Sequence, residues 1–298
     1  MSDSIEGLRR KLDSAGDLQS VVRTMKALAA SSIGQYEKSV RALADYYRTV
    51  EFGLGACFRE SDMADAMLER KAPARVVRAV VFGSDQGLVG QFNDSVADYA
   101  IKTLKTMPGK PQVWAVGERV HGRLADAGVA PAGHFAVPNS VQAIAPLIGE
   151  IQIASEAHRD SDEDVGVWVF YNRPLHGALF EPVGQRLLPL DAQWRRGLTE
   201  IRWPTSNLPE IIGERRATLR ALVREYLFIS LFRACAESLA SENASRLAAM
   251  QRADKNITDL LERTRGAFHL LRQSSIDEEL FDVIAGFDAL VEPKRTRS

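Results

Sequence analysis

The sequence predicts an α/β protein in which two long terminal helices pair as a coiled coil, with a smaller domain of alternating strands and helices between them in the chain. Three observations predict it: where the prolines fall, how the apolar residues are spaced in the two flanks, and the β-branched runs in the middle. Of the 12 prolines, 11 lie between Pro73 and Pro209, and the last is Pro293. Proline removes a backbone donor and clashes with the preceding helical turn, so long helices belong in the proline-free flanks. The expected boundaries are 1–72 for the N-terminal helix and a linker, 73–209 for the central domain, and 210–298 for the C-terminal helix.

The N-terminal flank carries apolar residues at Ile5, Leu8, Leu12, Ala15, Leu18, Val22, Met25, Ala29, Ile33, Tyr36, Val40, Leu43, Tyr47 and Val50. Steps of three and four with a mean near 3.5 are the spacing of a coiled-coil seam. Gly7, Gly16 and Gly34 each cost such a helix about 1 kcal/mol, so its stability calls for a partner helix. The C-terminal flank offers one. Its stripe begins at Leu219, Leu222, Tyr226 and Ile229, and runs through Leu247, Met250, Ala253, Ile257, Leu260, Thr264, Ala267 and Leu271. It resumes at Ile276, Leu280, Val283, Phe287 and Leu290. A helix over about Glu210 to Leu290 is longer than its partner, so one end must stand alone or enter another protein.

In the middle, Val76–Phe82 reads as a strand ended by Gly83-Ser84-Asp85-Gln86-Gly87-Leu88-Val89-Gly90, and a helix is expected around Asn93–Leu104. Gln112–Val116 reads as a second strand, Glu118–Ala127 as a helix, and Ser140–Ala157 as another with Ser140 as its N-cap. Val165–Tyr171 and Phe180–Leu188 complete the expected strands. Strands alternating with helices imply a small α/β sheet.

Composition excludes several classes. With 45% apolar residues the chain can bury a core, and no run of about 18 apolar residues spans a bilayer. The start, Met-Ser-Asp-Ser-Ile-Glu-Gly, lacks the layout of a secretory signal. Two cysteines, Cys57 and Cys235, make neither a disulfide framework nor a cysteine-built zinc site, and a reducing cytoplasm fits them. A net charge of −1 argues against a nucleic-acid binder.

Motifs for chemistry are mostly wanting. Gly83, Gly87 and Gly90 have neither dinucleotide nor P-loop spacing and read as a tight strand-to-helix turn. Asp160-Ser161-Asp162-Glu163-Asp164 opens like a calcium loop, but Val165 and Tyr171 stand where glycine and glutamate are required, which leaves an acidic turn. His121, His134, His158, His176 and His269 have no ligand spacing. No positioned acid–base pair follows from spacing, so the chain does not read as an enzyme by itself.

Several segments together carry a resemblance. Leu8-Arg9-Arg10-Lys11-Leu12, then Val21-Val22-Arg23-Thr24-Met25-Lys26-Ala27-Leu28-Ala29-Ala30, resembles the opening helix of the gamma subunit of F-type ATP synthases. Ser84 to Asn93 is similar to that family's S-D-R-G-L-C-G-x-x-N turn, Val116-Gly117-Glu118-Arg119 to its G-x-K/R segment, and Tyr171-Asn172-Arg173 to its Y-N-x-F. Glu237-Ser238-Leu239-Ala240-Ser241-Glu242, continuing to Arg246 and Met250, resembles its E-S-x-A-S-E motif, and Arg272-Gln273-Ser274-Ser275-Ile276-Asp277-Glu278-Glu279-Leu280 its R-Q-A-x-I-T-x-E-L. The resemblance runs in order over almost the whole chain.

It implies a central rotor shaft: an antiparallel coiled coil inside a hexamer of alpha and beta subunits, with a Rossmann-like α/β domain outside, next to the epsilon subunit and the membrane c ring. The implied work is coupling of ion flow to the catalytic beta sites, without a cofactor, metal or nucleic acid of the chain's own. The implied location is peripheral, on the cytoplasmic face of a bacterial or archaeal plasma membrane. By the same resemblance Arg23, Met25 and Lys26 meet an acidic helix–turn–helix of beta, and Arg272, Gln273, Asp277 and Glu279 meet a loop of beta. The bland alternatives are a seam residue for Met25 and a solvated helix face for Gln273 and Glu279. Asp277 stands where the family has threonine, Gln86 and Val89 replace arginine and cysteine in the glycine turn, Ser31-Ser32-Ile33-Gly34 replaces a basic stretch, and the tail Glu292–Ser298 runs past the usual end. These departures mark a divergent branch and leave the coupling ion, H⁺ or Na⁺, open. Two other readings remain: a coiled-coil assembly scaffold without a rotary role, and a small-molecule enzyme built on the central domain.

Overall fold

The run Val76–Phe82 forms strand β1, flanked by β2 (Lys110–Val116) and β4 (Val165–Pro174). β3 (Gly133–Phe135) adds beyond β2, and β5 (Phe180–Leu188) beyond β4. The order is β3-β2-β1-β4-β5, parallel except for β5, which runs antiparallel to β4. This is the Rossmann-like sheet expected from the resemblance: the chain moves outward from β1 through β2 to β3, then crosses back to lay β4 on the other side of β1. The computed structural model describes residues 4–59, 76–157, 165–190, 192–207 and 209–291. The linker at 60–72, His158, the acidic run Asp160–Asp164 and the tail Glu292–Ser298 lie outside the described residues.

Six α-helices are described: α1 (Ile5–Arg59), α2 (Phe92–Lys105), α3 (Glu118–Asp126), α4 (Ile144–Ala157), α5 (Ala192–Glu200) and α6 (Arg215–Val291). The chain forms two compact units: one takes the described residues up to Ala27 and from Met250 onward, the other takes Leu28–Ala249.

In the larger unit, side chains alternate across β1, as period-two geometry requires. Val77, Ala79 and Val81 pack with α2 and α3 through Val96, Ala100, Ile101, Val120 and Leu124. Val80 and Phe82 face the other way, onto Ile144, Ile148 and Ile151 of α4, with Leu231, Cys235 and Leu239 of α6 and Tyr36 of α1 in the same core. Burial on both faces is why β1 reads as a continuous apolar run. A third core joins Val50, Leu54 and Cys57 of α1 to Leu198 of α5 and to Leu219, Tyr226 and Ile229 of α6.

Several expectations are corrected. α6 begins at Arg215, because Gly213 is left-handed (φ +91°) and breaks the chain direction before the Glu214 carbonyl accepts the first helical bonds. Ser140 is extended and makes no side-chain capping bond; a 3₁₀ turn at Val141–Ala143 leads into α4 instead. β3 and α5 were not expected, the first being only three residues long and the second offering a weak stripe around Trp194 and Leu198. The seam also shifts: Leu18, Leu260 and Ala267 are exposed, and Gln19, Leu261 and Phe268 lie closer to the inside.

Candidate interaction surface

The glycine turn after β1 is closed by its own bonds. The Ser84 amide donates to Asn93 Oδ1 at 2.9 Å, Asn93 Nδ2 donates to Ser84 Oγ, and Ser84 Oγ donates to the Gln86 carbonyl. Asp85 accepts the Glu118 amide on Oδ1 at 3.0 Å and the Val137 amide on Oδ2 at 2.9 Å, so it caps α3. A Cβ on Gly83 would fall 2.4 Å from that of Val120, which leaves glycine as the residue that fits. The turn ties β1, α2 and α3 together.

Two more of the motifs meet this turn. Asn172, at the end of β4, donates through Nδ2 to the Phe92 carbonyl, and the Ser241 hydroxyl of α6 donates to the Asn172 carbonyl at 2.9 Å. On α6, Glu237, Ser238, Ser241 and Glu242 are all buried. Arg233 Nε donates to Glu237 Oε1 and Arg246 Nη2 to Glu242 Oε1, each at 2.6 Å and one helical turn apart. Burial pushes the Glu242 carboxyl above the usual carboxylate range, with the Arg246 charge pulling the other way. Burial also raises the thiol of Cys235, which makes it an inert core residue. The E-S-x-A-S-E segment is thus a docking face of α6 on its own domain.

In the smaller unit α1 and α6 run antiparallel, with Leu8, Val22, Met250, Ile257 and Leu261 buried along the seam. Met25 is half-buried on it. A polar layer interrupts the apolar residues. Gln19 Nε2 donates to Thr258 Oγ1 at 2.9 Å and to Asp254 Oδ1 at 3.2 Å. Lys26 Nζ lies 2.9 Å from Asp254 Oδ2, and Arg23 Nε 3.4 Å from Asp254 Oδ1. The hydrogen bond from Lys26 is the main cause that holds the Asp254 carboxyl below its ordinary value. Arg23 and Lys26, expected at a partner surface, both pair with this carboxylate, and the Arg23 side chain is still 61% exposed. Sequence reasoning missed Gln19, Asp254 and Thr258. The signal was a polar residue, Gln19, adjacent to the seam position assigned to Leu18.

Beyond Leu271, α6 changes character. Ile276, Leu280, Phe281, Val283, Ile284 and Phe287 are all exposed, Phe281 and Val283 at 69% each. At about 100° per residue they form one band along the helix. Arg272, Gln273, Asp277 and Glu279 are exposed as well. Gln273 and Asp277 fall on the azimuth of the band, while Arg272 and Glu279 flank it. Isolated exposed apolar residues are ordinary, but a continuous band of six large ones is the signature of an interface. Among the described residues no group of His, Cys, Asp and Glu could hold a metal ion, and no helix is long and apolar enough to cross a membrane.

Paired terminal helices, one carrying an uncovered apolar end, define a coiled-coil interaction subunit that works through what its helices touch. The family model described as ATP synthase matches residues 4–290, and the chain belongs to that family. It is 24% identical over 290 residues to the ATP synthase gamma chain of Aromatoleum aromaticum, covering 95% of this chain and 98% of that one. It is 27% identical over 299 residues to the ATP synthase gamma chain of an Arthrobacter species, covering 97% and 99%. The fold is also that of a chain in the cryo-electron-microscopy structure of the Euglena gracilis mitochondrial ATP synthase, with a TM-score of 0.62 at 19% identity over 99% of this chain and 98% of that chain.

Proposed function

We propose that this chain is the central-stalk gamma subunit of a rotary ATP synthase, a non-catalytic part that couples ion flow through a membrane c ring to the catalytic beta subunits. The observation that carries the reading is the uncovered apolar band of α6 from Ile276 to Phe287, at the end of the helix that outruns its partner. Such a band needs an apolar collar around it, which a hexamer of alpha and beta subunits would supply. Membership of the ATP synthase family and the gamma-chain relatives along nearly the full length support the same role. In this reading residues 1–72 and 210–298 transmit torque, and 73–209 form the outer domain near epsilon and the c ring. Residence is peripheral, on the cytoplasmic side of the membrane.

Within that role Arg23, Met25 and Lys26 meet an acidic segment of beta, and Arg272, Gln273, Asp277 and Glu279 meet a beta loop. Because Asp254 already holds Arg23 and Lys26, an acid from beta would have to share their charge with it. The test is assembly: the chain mixed with alpha and beta subunits of the same organism is expected to co-elute at one copy per hexamer. Replacing Gln273 and Glu279 together by alanine is expected to weaken co-elution while leaving the fold intact. Co-elution unchanged by that pair would remove them from the contact; failure of the unaltered chain to co-elute would remove the reading itself.

A further inference from the structure

The apolar seam of the smaller unit does not by itself define how its helices pair. A seam that repeats every 3.5 residues meets apolar residues again when one helix slides by a heptad, so several registers bury comparable surface. The seam residues here include small ones, Ala15 and Ala253 among them, which discriminate even less between registers. Asp254 is different. Its two carboxylate oxygens collect Gln19, Arg23 and Lys26, three donors that span two turns of α1, and Thr258 one turn along α6 accepts from the same Gln19.

We infer that Asp254 is the register pin of this coiled coil. The sequence on either side of its partners shows why only one register suits it. A slip of one heptad toward the start of α1 sets Asp254 against Leu12, Gly16 and Gln19, with Asp13 and Asp17 close by, so both cationic donors are lost and like charge stands near, with only Gln19 left to donate. A slip the other way sets it against Ala30 and Ile33, and of the three donors only Lys26 stays within reach. In both cases a carboxylate that is mostly covered, at 18% side-chain exposure, keeps one donor of three and loses most of the hydrogen bonds that make its place in the seam tolerable. A polar residue in an otherwise apolar seam is the device by which coiled coils specify register. The inference concerns the chain alone and stands whether or not it turns inside a hexamer.

Disulfide trapping in the full chain reads register directly. Counting from the Gln19–Thr258 contact, the pair Ala15→Cys with Leu261→Cys reports the observed register. Leu8→Cys with Leu261→Cys, and Val22→Cys with Leu261→Cys, report slips of one heptad either way. With Asp254 present, the 15/261 pair is expected to close about tenfold faster than the other two. Asp254→Leu is expected to erase most of that preference, and exchanging the charges (Lys26→Asp with Asp254→Lys) to restore it. A preference left intact in Asp254→Leu overturns the inference. Should Asp254→Leu fail to fold, the isosteric Asp254→Asn decides: a preference reduced about threefold supports the pin, and an unchanged one overturns it.

Discussion

At the scale of single residues, the least expected feature is the pair of glutamates buried on α6 where the helix crosses its own sheet. Glu242 is 5% exposed, and only one of its carboxylate oxygens has a hydrogen-bond partner, Arg246. Removing one member of a buried ion pair leaves the other uncompensated, so Arg246→Leu is expected to destabilise the protein by about 3 kcal/mol in chemical denaturation. Glu242→Gln keeps an acceptor for Arg246 and should cost much less. The two variants also separate by pH. Because burial raises the Glu242 carboxyl in the folded state, its contribution is complete below the ordinary glutamate value near 4.3 and is lost as pH rises through the folded value. Denaturation curves across that range should show the slope in the parent and its reduction in Glu242→Gln. None of this was legible in the sequence, where Glu237 and Glu242 look like ordinary charges of a helical face; only tertiary docking against β4 buries them.

At the scale of elements, the periodicity of the two flanks located both long helices but misassigned individual seam positions. Leu260 and Leu261 are adjacent and chemically identical, so spacing alone could not choose between them; the structure buries Leu261 to 6% and leaves Leu260 at 54%. Leu261→Ala should therefore cost about 2 kcal/mol in thermal or chemical unfolding, and Leu260→Ala no more than about 0.5 kcal/mol. The drift has a physical origin: a straight helix at 3.6 residues per turn slides off a strict 3.5 repeat, and two helices relieve this by exchanging neighbouring residues at the contact. The polar layer adds a pH dependence of opposite sign to that of Glu242. Asp254 is held below its ordinary value, chiefly by Lys26, so its support for the coil is present above pH about 4 and fades as pH falls through the folded value. Protection factors against hydrogen exchange over residues 5–27 should fall over that acid range in the parent and change less in Asp254→Asn. The free end of α6 behaves differently again. Phe281→Ser with Ile284→Ser changes side chains that are both exposed, so the melting temperature should stay within about 1–2 °C. Binding to the hexamer is where their loss is expected to appear.

At the scale of the whole molecule, the sequence carried the plan of the chain well. The proline map separated helical flanks from sheet, and β1 and β5 fall at the residues expected, Val76–Phe82 and Phe180–Leu188. The excess length of the C-terminal helix also announced an uncovered end, which the exposed band from Ile276 to Phe287 realises. What stayed hidden were the elements with little pattern of their own. β3 has three residues and gains its place by pairing with β2, and α5 is held by packing of Leu198 against α1 and α6. For function, spacing pointed to no reaction centre, while the partners entered only through resemblance, since a helix face does not name what covers it.

The measurement that tests the central claim is ATP hydrolysis by the alpha and beta subunits of the same organism, reconstituted with this chain, without it, and with the Phe281→Ser, Ile284→Ser variant. A central-stalk subunit is expected to raise turnover when bound at one copy per hexamer, and the variant, though folded, to lose most of that gain. Turnover that is the same with and without the bound chain would contradict the account and leave a coiled coil that assembles without driving anything.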